Sequence, residues 1–303
     1  MRARIRDTEL FFDVDGVGLV PDGSRMREKP TAFLVHGGPG GDHTDAKTVC
    51  APLAEKLQLV YFDHRGQGRS ARGNSEDYNL DENVADLEAL RQYLGLGPIV
   101  SIGTSYGGMV AMTHAARYPD AVSHLILVAT AAHAGFISRS VEIVAARGTA
   151  EQISMCEDLW AGRLDTPGKM RRYYEVMGSL YSHKHDQTLS EISLDRRILS
   201  PEALNQAYSP SGFMRSFDVR PELGSITAAT LILAGRHDWI CPPEFSEEIH
   251  ERIPGSDLRI FEESSHSIRV DETQKFLDVI TGFLVCNAGV GASDTAPASP
   301  VHP

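Results

Sequence analysis

Short apolar runs rich in valine, isoleucine and leucine alternate along this chain with amphipathic stretches of helical period. Unbroken apolar runs of strand length suit strands buried on both faces. Their alternation with helical patterns predicts an α/β protein with a mostly parallel central sheet flanked by helices. The strand candidates are residues 32–36 (AFLVH), 57–63 (LQLVYFD), 99–103 (IVSIG), 125–129 (LILVA), 230–234 (TLILA) and 258–261 (LRIF), with residues 5–14 and 16–20 as an opening hairpin. From Asp81, read as an N-cap, Val84, Leu87, Leu90 and Leu94 recur at helical spacing. A second helix follows residue 105 and ends near Arg117, before Pro119, and a last one spans residues 271–283.

This rhythm stops between residues 134 and 216, where the apolar positions at 141–146, 150–160 and 169–181 repeat only with helical period. The strand pattern then resumes at Thr230. The expected organisation is therefore a core of residues 1–133 and 217–287, interrupted after the sixth strand by a helical cap at 134–216. Insertions at that edge become lids over ligand sites. Residues 288–303 (AGVGASDTAPASPVHP) have little to bury and are expected to be a disordered tail.

Composition narrows the partners. A net charge of −12, with no dense basic cluster, disfavours nucleic acid. No stretch approaches the ~20 apolar residues that span a bilayer, and the charged N-terminus precedes no apolar run. The four scattered cysteines, Cys50, Cys156, Cys241 and Cys286, form no CxxC pair and read as reduced, mostly buried thiols. The expectation is a cytoplasmic protein acting on a small molecule or short peptide, without membrane contact; the sequence leaves a homo-oligomer open.

The candidate chemistry centres on Ser105. Residues 103–107 (GTSYG) follow an apolar strand and open an apolar helix, as the pattern G-x-S-x-G requires for a serine on a sharp strand-to-helix turn. There the helix N-terminus favours developing negative charge. Residues 36–41 (HGGPGG) follow another strand; Gly37 or Gly38 could donate one amide to an oxyanion, and Tyr106 the second. Phosphate-binding glycine motifs are absent from the sequence. His36 is read as loop support.

A serine hydroxyl needs a base, and the base an orienting carboxylate, in the chain order serine, acid, histidine. Asp238 ends the run LILAGRHD, and His266 follows LRIF in EESSHS; both fall at the edge where ligands bind in open α/β sheets. Asp218 and Asp257 lie at the wrong ends of their strands, His250 sits in an amphipathic stretch and His302 in the tail. His183 and His185 lack a third metal ligand nearby and read as solvated.

Five motifs, HGGPGG (36–41), DHRGQGRS (63–70), GTSYGG (103–108), GRHD (235–238) and SSHS (264–267), resemble the α/β-hydrolase superfamily and, more narrowly, its proline iminopeptidase branch. They cover the core from about residue 12 to 283. The resemblance implies a serine hydrolase that cleaves a small amide or ester bond through an acyl-enzyme, releasing an N-terminal residue. Ser105 would be nucleophile, His266 base and then acid, Asp238 the orienting carboxylate, with Gly37, Gly38 and Tyr106 around the oxyanion. No metal or organic cofactor is implied, and residues 63–70 are expected to form a structural turn. Serine at the elbow departs from epoxide hydrolases and haloalkane dehalogenases, which carry aspartate.

One departure affects the substrate. Iminopeptidases hold a substrate ammonium with carboxylates of the cap and, in some branches, with an acid directly after the triad aspartate. Trp239 stands there instead, and residues 209–213 (SPSGF) carry no acid. Glu157, Glu175, Asp186 or Glu191 could supply one, whereas Trp239 and Phe213 could line an apolar acyl pocket. A carboxylesterase or lactonase is thus the alternative. A hydrolase fold that binds without turnover is a third reading, opposed by the intact Ser, Asp and His set.

Overall fold

The computed structural model describes residues 1–287; the expected tail, with His302, lies outside them. The described strands are β1 (Arg2–Ile5), β2 (Thr8–Asp15), β3 (Leu19–Asp22), β4 (Arg25–Glu28), β5 (Thr31–Val35), β6 (Gln58–Phe62), β7 (Ile99–Thr104), β8 (Val122–Val128), β9 (Ala229–Gly235) and β10 (Asp257–Phe261). Eight of them form one sheet in the order β1-β2-β6-β5-β7-β8-β9-β10. β1 and β2 join antiparallel at one edge, and the six strands from β6 to β10 run parallel.

The parallel strands are buried on both sides because alternate residues serve two cores. Phe33, Val35, Val60, Phe62, Leu125 and Leu127 face one core. That core also takes residues of α2 (Leu80–Tyr93), α3 (Tyr106–Arg117) and α9 (Pro243–Arg252). Leu34, Leu59, Tyr61, Ile126 and Val128 face the other, with residues of α1 (Thr44–Cys50) and α11 (Thr273–Cys286). A single-turn helix, α10 (Ile268–Asp271), precedes α11. Among the described residues, no helix is long and apolar enough to cross a membrane.

The opening differs from the sequence reading. Residues 5–14 are not one strand: Arg6 turns at φ +47°, and β1 folds back on β2 with Ile5 opposite Thr8. Residues 16–20 do not pair with them. β3 instead pairs with β4 in a separate ribbon, which is largely exposed. Its side chains offer too little apolar surface to join the core.

Between β8, the sixth strand of the main sheet in chain order, and β9, the chain makes an excursion through α4 (Gly135–Arg147), α5 (Ala150–Trp160), α6 (Pro167–Tyr181), α7 (Gln187–Arg196) and α8 (Pro201–Tyr208). Its two ends are zipped together. His133 bridges Asp218, the Ala134 amide donates to Phe217 O at 2.8 Å, and the Val219 amide donates to Ala132 O at 2.9 Å.

Candidate active site

Ser105 joins β7 directly to α3 and adopts φ 55°, ψ −123°. A non-glycine residue in that region is strained by about 1–3 kcal/mol and persists only where its surroundings enforce it. Here the end of β8 does so. The Ser105 amide donates to Val128 O at 2.8 Å, and the buried Thr130 hydroxyl donates to Ser105 O at 2.8 Å. The serine Oγ forms no hydrogen bond among the described residues.

The loop after β5 lies against this turn: a Cβ placed on Gly37 would stand 3.2 Å from Ser105 Cβ. The amides of Gly37 and Gly38 have no acceptor among the described residues, and the Tyr106 amide opens α3, where the first turn has no intrahelical acceptors. Gly37 and Gly38 share the cavity lining with Ser105, and Tyr106 follows it in the chain, so these three unpartnered amides are the candidates for holding an oxyanion.

His36 fixes that loop. Its Nε2 accepts the His64 amide at 3.1 Å, so the proton of the neutral ring is on Nδ1, which donates to Gly37 O at 2.8 Å. Burial pushes the His36 imidazole below its ordinary value, and burial followed by His36 itself pushes His64 well below. Gln67 Oε1 accepts the Gly40 amide at 2.7 Å, and Tyr208 of α8 donates to Gly38 O at 3.0 Å. The turn at 63–70 is itself tied by Asp63, whose Oδ1 accepts His43 Nδ1 at 2.7 Å and whose Oδ2 accepts the Arg69 amide at 2.7 Å. His64, Gln67, Thr130 and Tyr208 were missed by sequence reasoning; only the DHRGQGRS motif hinted at the first two.

Asp238 follows β9 and is buried. Its Oδ1 accepts the amides of Ile240 at 2.8 Å and Cys241 at 3.0 Å, and its Oδ2 accepts His266 Nδ1–H at 2.8 Å. With Nδ1 donating, the neutral imidazole leaves Nε2 as an acceptor. The loop carrying His266 crosses so close to β9 that a Cβ on Gly235 would lie 2.1 Å from Ser265 O, which is why glycine begins GRHD. The Ser265 amide donates to Asp271 Oδ2 at 2.9 Å and fixes the same loop from α10.

Ser105, His266, Gly37 and Gly38 line one cavity of about 440 Å³. Trp160, Tyr173, Tyr174, Tyr181 and Tyr208 form its aromatic wall, and the Tyr181 ring meets the His266 ring edge-on at 5.6 Å. A hydroxyl, an acceptor imidazole nitrogen and free amides opening on one cavity can carry out acyl transfer.

Four residues expected at the substrate are elsewhere. Trp239 is fully buried behind Tyr181, with ring centroids 5.6 Å apart, because its indole completes the core beneath the wall. Phe213 packs on the Tyr106 ring at 6.1 Å in the same core. Glu157 is exposed, and Glu175 is engaged by Arg171 at 3.0 Å. The excluded competitors are also occupied: Asp218 pairs with Arg220, His250 Nδ1 contacts Ser256 Oγ at 2.8 Å, and His183 stacks on His237 at 4.6 Å. Among the described residues no group of three or more His, Cys, Asp or Glu side chains could hold a metal ion.

Residues 30–273 match the alpha/beta hydrolase fold family over most of the chain. The chain belongs to that family. It is 30% identical over 281 residues to a proline iminopeptidase (PfmaB) of Pestalotiopsis fici, an alignment covering 90% of this chain and 98% of the relative. Among solved structures it resembles an esterase of Exiguobacterium antarcticum, with a TM-score of 0.74 at 26% identity over 94% of this chain and 98% of the other. A proline iminopeptidase of Mycobacterium smegmatis shares the fold with a TM-score of 0.76 at 19% identity, over 95% and 98% of the two chains. This α/β-hydrolase is a serine hydrolase most similar to the prolyl aminopeptidases.

Proposed function

We propose that the protein releases a small N-terminal residue from short peptides or aminoacyl amides through an acyl-enzyme on Ser105. The observation that carries this reading is the strained serine turn opening on the same cavity as an imidazole held by a buried carboxylate. His266 Nε2 takes the hydroxyl proton as Ser105 Oγ attacks the scissile carbonyl. The amides of Tyr106 and of Gly37 or Gly38 take up the charge on the carbonyl oxygen. The imidazolium then protonates the departing amine, and a water, deprotonated by the same nitrogen, releases the acid and regenerates the serine. Asp238 keeps the ring in the required tautomer throughout. Residues 134–216 act as the cap, supplying Tyr173, Tyr181 and Tyr208 to the acyl pocket. A cytoplasmic setting is supported by four cysteines that are all free.

A second reading is an esterase or lactonase acting on a small apolar acyl group. It is favoured by the cavity wall, whose carboxylates among the described residues are Asp42, Asp45 and Asp186. Asp42 is taken by Arg69 at 2.8 Å, and Asp186 accepts the Leu189 amide as a helix cap. The two readings separate on a panel of L-proline and L-alanine p-nitroanilides against p-nitrophenyl acetate and butyrate. Ser105-dependent cleavage of an anilide supports the aminopeptidase; turnover of esters with every aminoacyl anilide inert transfers the protein to the esterases.

A further inference from the structure

The cavity continues beyond the aromatic wall to a solvent-open end, where the exposed side chains of Leu189, Ile192 and Val270 belong to its lining. That end is cationic in a protein of net charge −12. Lys184, Arg196, Arg197 and Arg269 line it; Asp186, in the same lining, caps α7, and Asp45 is the carboxylate paired with Arg197 and Arg269. Asp45 Oδ1 is occupied by the Ser193 hydroxyl at 2.7 Å, and Oδ2 is shared between Arg197 and Arg269, the latter at a long 3.5 Å. One carboxylate therefore serves two guanidiniums, each about one-fifth exposed (20% and 18%). The Nε atoms of both are buried without a hydrogen-bond partner. Arginine carries five N–H donors in a planar fork suited to a carboxylate; with both Nε atoms inaccessible, the donors left to a ligand in the cavity are on the partly exposed Nη atoms. Arg197 also stacks over Tyr174 at 5.2 Å, which holds its plane against the cavity wall.

This end is connected to the serine by ring contacts. Centroid steps of 5.6 Å from His266 to Tyr181 and 5.9 Å from Tyr181 to Tyr174 lead to the ring on which Arg197 lies. An extended peptide covers that path in about five residues at most, and in fewer where the steps are not collinear. We propose that Arg197 and Arg269 form an anion subsite for the C-terminal carboxylate of a short peptide whose N-terminal residue is acylated on Ser105. The proposal rests on the aminopeptidase reading above. It makes the enzyme a processor of free short peptides rather than of long or C-terminally blocked chains.

The test separates binding from chemistry. Ser105→Ala protein, which cannot turn over, is titrated calorimetrically with Pro-Gly-Gly and with its C-terminal amide. The free acid is expected to bind about 10- to 100-fold more tightly, as for a charge-assisted hydrogen-bonded pair. Arg269→Gln in the same background brings the ratio close to one, and Arg269→Lys restores part of it. Circular dichroism confirms that each variant is folded, and Arg197→Lys serves as the second variant if Arg269→Gln is not. Equal affinities, no binding of either peptide, or a ratio unchanged in folded arginine variants overturn the subsite. A preserved binding ratio in Ser105→Ala, with no peptide turnover by the wild type, leaves the subsite standing and sinks the aminopeptidase reading instead.

Discussion

Gly107→Ala adds one methyl group where strand, helix and loop converge. A Cβ at that position would lie 2.0 Å from Val35 O and 2.6 Å from His36 O, both backbone atoms at the root of the loop at residues 36–41. Relief requires α3 to move from β5 by about 1 Å, since contacts closer than about 3 Å are not tolerated. Displacements of that size at a catalytic centre cost on the order of 100-fold in rate. Overpacking costs about 1–3 kcal/mol in stability, offset by up to about 1 kcal/mol from the better helix propensity of alanine. The expected variant is folded, melts a few degrees lower and hydrolyses p-nitrophenyl acetate about 100-fold more slowly, mainly through kcat. Gly282→Ala is the control: it lies on the exposed face of α11 with no atom within 4 Å of the added Cβ, and should match or slightly exceed wild-type stability. Wild-type kcat and melting temperature in Gly107→Ala would refute the close-packing argument for the serine turn.

Asp238→Asn should lower kcat by about 10³- to 10⁴-fold while changing the melting temperature little, since an amide oxygen still accepts the Ile240 and Cys241 amides but the carboxylate no longer sets the ring tautomer; near-normal steady-state kinetics would remove Asp238 from the mechanism. Acid should weaken the fold before it titrates most carboxylates. His36 and His64 are held neutral in the folded state, below the value of about 6.5 for an unfolded histidine, so the unfolded chain takes up protons first. Their contribution to stability is intact above pH ~6.5 and falls below it, by at most about 1.4 kcal/mol per pH unit for each ring. Urea unfolding at pH 7 and pH 5 measures this, and His64→Gln should flatten the slope; equal midpoints at the two pH values would count against buried neutral rings.

The parallel strands were legible in the sequence because each is buried on both faces and so reads as an unbroken apolar run, as LILVA and TLILA do. The opening ribbon was not, because its turn places Arg6 at positive φ with no Gly or Asn to announce it; only Asp7 and the polar run at 6–9 hinted at a break. The start of α2 was read two residues late: Asn79, not Asp81, is extended and accepts the Glu82 amide at 3.0 Å. Motif spacing pointed to Ser105, Asp238 and His266, since each follows a strand whose end can be counted. The cavity wall left no such trace. Tyr173, Tyr174, Tyr181 and Tyr208 sit on helices at spacings indistinguishable from core positions, and the ties between residues 36–41 and 63–70 join segments that are separate in sequence.

Covalent labelling with a fluorophosphonate, followed by mass spectrometry of the proteolytic digest, tests the central claim most directly. The account predicts one adduct, on Ser105, that is absent from Ser105→Ala and forms far more slowly in His266→Ala. An adduct on another residue, or labelling of folded Ser105→Ala at the wild-type rate, would contradict it.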